Sequence, residues 1–294
     1  MQESKLKIWI MAGRPKTLWA ALSPVIIGTA LAYGDNKVHW LSAFLAAFGA
    51  VMIQIGTNLS NDYFDYKHGA DKGERLGPLR VTQAGLVKPE TMKKAFIFVY
   101  GLAALSTIYL IWRAGWPIVV IGVLSIASGI LYTAGPFPFA YYGLGDIFVL
   151  IFFGLVAVGG TYYVQALDIN AFVILAGFAP GLLSTAILTV NNLRDIHTDK
   201  EAGKRTLPVR FGETFGRLEY LFCVIISCLI PVFLVVMTRK HYFCLASSLI
   251  FLFALPSIEI IFHEKPGVIF NKVLAKTGKL LFIYSLLFSV GWIL

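Results

Sequence analysis

Nine apolar stretches, each close to the length of a membrane-spanning helix, dominate this chain of 294 residues. A helix needs about 20 mostly apolar residues to cross a bilayer. Only 14% of the residues are charged, whereas about a quarter of the residues in a soluble domain are charged. The stretches cover residues 17–33, 40–57, 93–112, 116–132, 144–163, 170–190, 217–237, 242–262 and 278–294. The sequence therefore predicts an all-α membrane protein with about nine transmembrane helices.

The positive charges are distributed unevenly between the two predicted sides of the membrane. Of the 25 lysines and arginines, 21 fall at the N-terminus and in the loops on the same side as the N-terminus. The other four are Lys37, Arg113, Arg239 and Lys240. The positive-inside rule then places the N-terminus in the cytoplasm and, with nine spans, the C-terminus on the opposite side. Because topology explains the net charge of +9, we expect no nucleic-acid partner.

Two polar motifs interrupt the apolar pattern, each directly after an even-numbered stretch. The first motif is residues 58–65 (NLSNDYFD) and the second motif is residues 191–199 (NNLRDIHTD). Both contain Asn-x-x-x-Asp, a spacing that places side chains on one face of a helix. The facing residues are Asn58, Asp62 and Asp65 in the first motif and Asn191, Asp195 and Asp199 in the second. Both motifs lie on the predicted cytoplasmic side.

These six side chains offer the oxygen ligands that a hard divalent cation prefers. Carboxylates at the edge of a bilayer are costly unless they are paired or bound to metal, and Mg²⁺ usually binds through carboxylates together with substrate phosphate. A helix cap or an ion pair would explain one aspartate, but two motifs with the same core favour a site for two Mg²⁺ ions, with the four aspartates as catalytic residues. Nearby cations suit a diphosphate, and the candidates are Lys67, Arg75, Arg80, Lys204 and Arg205.

With its motifs taken together, the chain resembles the UbiA superfamily of intramembrane aromatic prenyltransferases, and the resemblance covers nearly the whole chain. Members of that superfamily have nine helices around a central cavity, with Asp-rich motifs at the cytoplasmic ends of the second and sixth helices. The chain is most similar to the branch that prenylates 1,4-dihydroxy-2-naphthoate in menaquinone synthesis. The segments that carry this similarity are residues 14–18 (RPKTL), 58–63 (NLSNDY), 77–80 (GPLR), 143–146 (GLGD), 191–196 (NNLRDI) and 203–207 (GKRTL).

The resemblance implies a single domain over residues 1–294 that transfers a polyprenyl group from an all-trans polyprenyl diphosphate to the naphthoate. Carbon dioxide and pyrophosphate leave, and demethylmenaquinone forms. The implied location is a bacterial cytoplasmic membrane, with the active site on the cytoplasmic side and no obligate protein partner. A dry cavity protects an allylic cation, and aromatic faces stabilise it. The candidates for an acceptor and cation pocket are Tyr132, Tyr142, Asp146 and Tyr163.

Several alternatives stay open at this point. A sister prenyltransferase that acts on 4-hydroxybenzoate or on a non-quinone acceptor would have nearly the same metal site. A transporter would place its carboxylates within spans rather than at helix ends, and the further Asp-rich motif of a CDP-alcohol phosphotransferase is absent from the sequence. The superfamily's first motif often has its last Asp where Tyr66 stands here, so either Asp65 or Asp71 completes that metal shell. The donor chain length is also open.

Overall fold

The computed structural model describes residues 4–69, 76–136 and 138–294. In these ranges the chain forms helices joined by short links, which we number in chain order. They are α1 (Lys5–Gly13), α2 (Leu18–Gly34), α3 (Trp40–His68), α4 (Pro89–Ala114), α5 (Trp116–Leu131), α6 (Gly145–Ala166), α7 (Ala171–Arg194), α8 (Ile196–Glu201), α9 (Leu207–Phe211), α10 (Glu213–Thr238), α11 (Tyr242–His263) and α12 (Phe270–Ile293).

The predicted membrane architecture is confirmed. Within the described ranges, eight helical segments are long and apolar enough to cross a membrane, and the first of these combines α1 and α2. The shorter apolar helix α5 corresponds to the fourth predicted stretch, residues 116–132, and completes the set of nine. Several helices continue beyond their apolar stretches, because α3 runs on to His68 and α7 to Arg194. The first motif is therefore wholly helical, and Gly69, in a left-handed conformation with φ 63°, ends its helix.

The link before α3 and the links before α5 and α7 meet at one end of the bundle. Lys37 lies 3.3 Å from Asp168 in an ion pair, and Arg113 donates hydrogen bonds to the backbone oxygens of Val164 and Gln165. The Tyr162 hydroxyl donates to Asp35 there at 2.5 Å. Three links on the less basic predicted side therefore lie together, as the alternation of loops requires, and the two polar motifs lie at the other end of the bundle.

Close backbone contact between α6 and α7 positions the start of α6. A Cβ on Gly154 would lie 2.6 Å from the Gly177 oxygen, and one on Gly181 would lie 2.7 Å from the Leu150 oxygen, so glycine is required at both positions. Small residues allow helices to approach this closely in membranes. The turn Ile151–Val156 of α6 is wound as a π-helix at this crossing. The crossing brings the first residues of α6 against the motif-bearing half of α7.

Candidate active site

A polar cavity of about 580 Å³ opens among the ends of α3, α5, α6 and α7. Both motifs contribute to its walls. The acidic side chains that line it are Asp65, Asp146, Asp195, Asp199 and Glu201, and the basic ones are Arg14, His68, Arg80 and Lys204. Carboxylates and basic side chains thus line one space, as is needed to hold a phosphate-bearing ligand together with divalent ions.

All three predicted side chains of the second motif line this cavity. Asn191 lies in the last turn of α7, Asp195 sits in the bend that ends the helix, and Asp199 follows on α8. Helical hydrogen bonds nevertheless continue through the bend, from the Asp195 nitrogen to the Asn191 oxygen and from the Asp199 nitrogen to the Asp195 oxygen. The spacing of four residues therefore keeps the three side chains on one face, as predicted.

Asp199 and Lys204 form an ion pair in the wall of the cavity, with 3.3 Å between Oδ1 and Nζ. Burial raises the pKa of Asp199 above its usual value, and the charge of Lys204 offsets part of that rise. Burial by itself would lower the pKa of Lys204, but the carboxylates of Asp199 and Asp65 raise it above its usual value. Lys204 also lies over the ring of Tyr141, 5.5 Å from its centroid. Lys204 is therefore a firmly charged cation in this wall.

In the first motif, only Asp65 of the three predicted ligands lines the polar cavity. Asp65 forms a buried ion pair with Arg80, which also donates to the Asn61 backbone oxygen at 2.7 Å. Asp62 is buried, and its carboxylate accepts hydrogen bonds from the backbone nitrogens of Val81 and Thr82 at 3.0 and 3.1 Å. Asp62 therefore stabilises the turn that carries Arg80.

Asn58 binds the N-terminal segment of the chain rather than the polar cavity. Its Nδ2 donates to the Gly13 backbone oxygen at 3.0 Å and to the Thr17 hydroxyl at 2.9 Å. These bonds fix the junction of α1 and α2, where Arg14 adopts a left-handed conformation with φ 49°. Asn58 thus helps to hold Arg14 at the cavity, although Asn58 itself lines only a neighbouring apolar cavity.

Asn61 is a site residue that the sequence analysis missed. Together with Asp65 and His68 it lines the polar cavity, so the cavity face of α3 has offsets of 0, 4 and 7 beginning at residue 61. Its Oδ1 accepts a hydrogen bond from the Thr133 hydroxyl at 2.9 Å. The signal was present in the sequence, because Asn61 and Asp65 repeat the Asn-x-x-x-Asp spacing of Asn191 and Asp195. Asn192 and Thr206 also line the cavity and were not predicted.

The predicted diphosphate-binding residues fall into three groups. Arg80 and Lys204 line the cavity. Lys67 and Arg205 are exposed and lie outside its walls, and the Arg205 backbone nitrogen donates to the Tyr141 oxygen at 2.9 Å. Arg75 lies outside the described residues, as does Asp71, the alternative ligand of the first motif.

Of the four residues predicted for the acceptor and cation pocket, two line the polar cavity and two do not. Tyr132 and Asp146 line the polar cavity. Tyr142 is 40% exposed and lies outside the cavity walls. Tyr163 lies at the opposite end of the bundle, where its hydroxyl donates to the Ala114 backbone oxygen at 3.1 Å. The structure thus brings two of these four side chains to the motifs.

A second, largely apolar cavity of about 320 Å³ adjoins the polar one. Asn61 and Tyr132 line both cavities and so form their common wall. Aromatic side chains of α6 line the apolar cavity, and the rings of Phe148 and Phe152 are stacked with 6.1 Å between their centroids. Small residues such as Gly49 and Gly160 leave room within it. The combined space suits a ligand with a charged head and a long apolar tail.

The chemistry of the cavity fits divalent ions. Asp65 Oδ1 and Asp146 Oδ1 are both buried and have no hydrogen-bond partner among the residues that the structure describes. A buried carboxylate oxygen in this condition is costly unless a cation or a ligand satisfies it. In the same part of the chain, no three His, Cys, Asp or Glu side chains converge closely enough to enclose one ion. Ions bound here would therefore be shared between the protein and a ligand, as is usual for Mg²⁺ with phosphates.

The fold and the site together define a class: an integral membrane protein in which an acid-lined polar cavity adjoins an apolar one. The model of the UbiA prenyltransferase family matches residues 21–286, and the chain belongs to this family. The predicted resemblance is confirmed, and the protein is a membrane-embedded prenyltransferase.

The similarity to relatives of this family extends over almost the full chain. A 1,4-dihydroxy-2-naphthoate octaprenyltransferase of Escherichia coli strain K12 is 39% identical, with 99% of this chain and 96% of that protein covered. The human UbiA prenyltransferase domain-containing protein 1 is 29% identical over 99% of this chain and 84% of its own length. Among solved structures, a UbiA homologue from Archaeoglobus fulgidus bound to DMAPP and Mg²⁺ has a TM-score of 0.70 at 16% identity, with 97% of this chain and 98% of that chain covered. This structural likeness confirms the fold.

Proposed function

We propose that this protein transfers a polyprenyl group from an all-trans polyprenyl diphosphate to 1,4-dihydroxy-2-naphthoate, and that CO₂ and pyrophosphate leave to give demethylmenaquinone. The observation that carries the proposal is the full-length similarity to the Escherichia coli 1,4-dihydroxy-2-naphthoate octaprenyltransferase, 39% over 99% of the chain. The two adjoining cavities support it, because one suits a diphosphate and the other a polyprenyl chain.

Two Mg²⁺ ions are the proposed cofactors. The motif residues that line the polar cavity and so would hold the ions through their side-chain oxygens are Asn61, Asp65, Asn191, Asp195 and Asp199. When bound, Mg²⁺ neutralises the negative charge that develops on the diphosphate as it leaves. Asn58 and Asp62 are also predicted ligands from the sequence. Asp62 accepts hydrogen bonds from two backbone nitrogens, and Asn58 Nδ2 donates to the Gly13 backbone oxygen and the Thr17 hydroxyl, so we propose that both support the site from behind.

Arg80 and Lys204 are the cations best placed to bind the diphosphate, since both are charged side chains of the cavity wall. The planar guanidinium of Arg80 can bind two phosphate oxygens at once, and the ammonium of Lys204 acts as a point charge. Lys67, Arg75 and Arg205 are retained as proposed diphosphate contacts from the sequence alone. Their proposed role is to attract the charged head of the donor to the cavity mouth.

The polyprenyl chain would occupy the apolar cavity, so that the bond to be broken lies near the wall that both cavities share. Tyr132 belongs to that wall, and its ring face can stabilise a passing allylic cation. Asp146 has an unpaired buried oxygen in the polar cavity and is the proposed partner of an acceptor hydroxyl. The apolar walls keep water from the cation. The naphthoate ring then attacks through the carbon that bears its carboxylate, which leaves as CO₂.

We further propose that the whole chain is one domain of a bacterial cytoplasmic membrane. The end of the bundle that carries both motifs would face the cytoplasm, because most lysines and arginines lie in the links on that side. The C-terminus would then lie on the opposite side. Cysteine labelling of single-cysteine variants at Lys37 and Lys200 tests this orientation, since only the first should react with an impermeant reagent from outside.

The testing experiment uses the purified protein in lipid vesicles with octaprenyl diphosphate and carboxyl-labelled 1,4-dihydroxy-2-naphthoate. We expect a prenylated naphthoate, release of labelled CO₂, loss of both after EDTA and recovery with Mg²⁺. The Asp195→Ala variant serves as the matched inactive protein. Product from 4-hydroxybenzoate but not from the naphthoate would reassign the acceptor and keep the metal site. Product that is indifferent to EDTA would contradict the metal site itself.

A further inference from the structure

Arg194 belongs to the second motif, yet its side chain points away from the cavity that the motif lines. Its side chain is 1% exposed, and it is not part of the cavity wall that Asn191 and Asp195 form. A buried guanidinium is costly unless its donors and charge are well paired. The hydrogen-bond partners of Arg194 therefore indicate the role of its buried charge.

One face of the guanidinium holds the oxygen atoms of two proposed metal ligands. Nε donates to Asp195 Oδ1 at 2.8 Å, and Nη2 donates to Asp195 Oδ2 at 2.5 Å and to Asn191 Oδ1 at 2.8 Å. Each carboxylate or amide oxygen can accept a second interaction. The same three oxygens therefore remain able to bind a cation on their cavity side while Arg194 fixes their direction from behind.

The other edge of the guanidinium is anchored to a distant helix. Nη1 donates to Asn271 Oδ1 at 2.8 Å, and Asn271 Nδ2 donates to the Leu76 backbone oxygen at 2.8 Å. A Cβ on the neighbouring Gly77 would lie 2.8 Å from Nη2 of Arg194. Four of the five N–H donors of Arg194 are thus used within the protein. This arrangement leaves little capacity for binding phosphate.

We propose that Arg194 is a positioning residue of the metal site, which holds Asn191 and Asp195 in the orientation that binds Mg²⁺, with Asn271 of α12 as its anchor. The inference rests on the proposed function, because it assumes that the second motif binds metal. Lysine cannot reproduce the effect, since an ammonium is a point charge and lacks the planar fork.

The test measures binding of Mn²⁺, a paramagnetic substitute for Mg²⁺, to the purified full chain by electron paramagnetic resonance. Saturating pyrophosphate supplies the phosphate oxygens that the ions would share, and prenyl donor and acceptor are absent. We expect Arg194→Lys to weaken Mn²⁺ binding by about 10–100-fold, the loss typical of residues that orient metal ligands. Asn271→Ala removes only the anchor, so a smaller loss of about 3–10-fold is expected. The unfolding midpoint of each variant is recorded alongside.

Arg217→Lys is the matched control. Arg217 also uses its guanidinium to join parts of the structure, donating to the Phe262 oxygen at 2.6 Å and to Glu213 and the Glu264 oxygen at 3.1 Å. It lies outside the cavity walls. The control should lower the unfolding midpoint to a similar degree and leave Mn²⁺ binding unchanged.

Wild-type Mn²⁺ affinity in both folded variants would overturn the inference. So would a raised KM for the prenyl diphosphate with unchanged Mn²⁺ affinity, because that result makes Arg194 a phosphate contact. If Arg194→Lys does not fold, Asn271→Ala decides between the outcomes. Failure of the unmodified protein to bind Mn²⁺ in the presence of pyrophosphate would instead refute the proposed metal site, so the two proposals fail in different ways.

Discussion

The two polar motifs are alike in sequence but differ in what their side chains contact. All three predicted ligands of the second motif line the polar cavity, whereas only Asp65 does so in the first motif. The other two predicted ligands of the first motif, Asn58 and Asp62, bind backbone groups of the segments that carry Arg14 and Arg80. The predicted ligands of the second motif therefore all line the cavity. Those of the first motif are divided between the cavity and contacts with neighbouring segments of the chain.

The difference follows from how each helix ends. Helix α3 continues without a break to His68, so its cavity face is set by the rotation of the whole helix and passes through Asn61 and Asp65. Helix α7 ends at Arg194, and the bend at Asp195 leads into the short helix α8, which brings Asp199 to the cavity wall. The comparison teaches that equal spacing secures a common face but leaves open which space that face meets.

The largest expected effects on activity come from replacing Asp65 or Asp195, the two aspartates that occupy matching places in the cavity wall. Replacement of either by alanine should lower kcat by about 10²–10³-fold or more, because each would remove charge that stabilises the departing diphosphate. Because each change leaves a buried arginine without its carboxylate partner, the unfolding midpoint of each variant is recorded alongside and kcat is compared for the folded protein. The measurement is product formation with saturating Mg²⁺, and activity within a few-fold of wild type for both would remove these carboxylates from the mechanism.

Asp62→Ala tests whether Asp62 supports the site or binds metal. Its loss should leave two buried backbone amides without an acceptor, at a cost of about 1–3 kcal/mol in the free energy of unfolding. We expect a lower unfolding midpoint and a raised KM for the donor through displacement of Arg80. Loss of Mn²⁺ binding with an unchanged unfolding midpoint would show instead that both motifs bind metal in the same way.

Asn58 and Asn191, the first residues of the two motifs, can be compared by the same substitution. Asn191→Ala should weaken Mn²⁺ binding about 10-fold, because Asn191 lines the cavity beside Asp195. Asn58→Ala should leave Mn²⁺ affinity unchanged but lower the free energy of unfolding by about 1 kcal/mol, because it releases Gly13 and Thr17. Equal effects of both variants on metal affinity would abolish the distinction between the motifs.

The smallest expected effect concerns pH and Asp199. Burial raises the pKa of Asp199, so on acidification this side chain becomes protonated at a higher pH than an ordinary aspartate does. Mn²⁺ binding should weaken as Asp199 becomes protonated. Lys204 lowers this pKa, so Lys204→Met should move the acid limb of Mn²⁺ binding to still higher pH. Lys200→Met, which alters an exposed lysine on α8, is the control. A shift to lower pH would contradict the electrostatic account.

Much of the architecture could be predicted from the sequence, because length and apolarity alone decide whether a helix can span a bilayer. The site could be predicted only in part. Among the predicted aromatic candidates, Tyr132 lines both cavities while Tyr163 lies at the far end of the bundle, although each is the last residue of a predicted apolar stretch. The alternation of spans already places the ends of the fourth and fifth stretches on opposite sides of the membrane. Which neighbours surround Tyr132 depends on helix packing, which composition and spacing do not encode.

By itself, the sequence determined the membrane class, the apolar stretches, the position of both motifs at helix ends and the resemblance to the UbiA superfamily. It did so because these properties depend on local composition and on short spacings along one helix. Only the tertiary structure decided that Asn61 rather than Asp62 faces the cavity, and that Arg194 turns toward Asn271 and away from the cavity. The rotation of a helix about its axis is set by packing against its neighbours, which a spacing pattern does not contain.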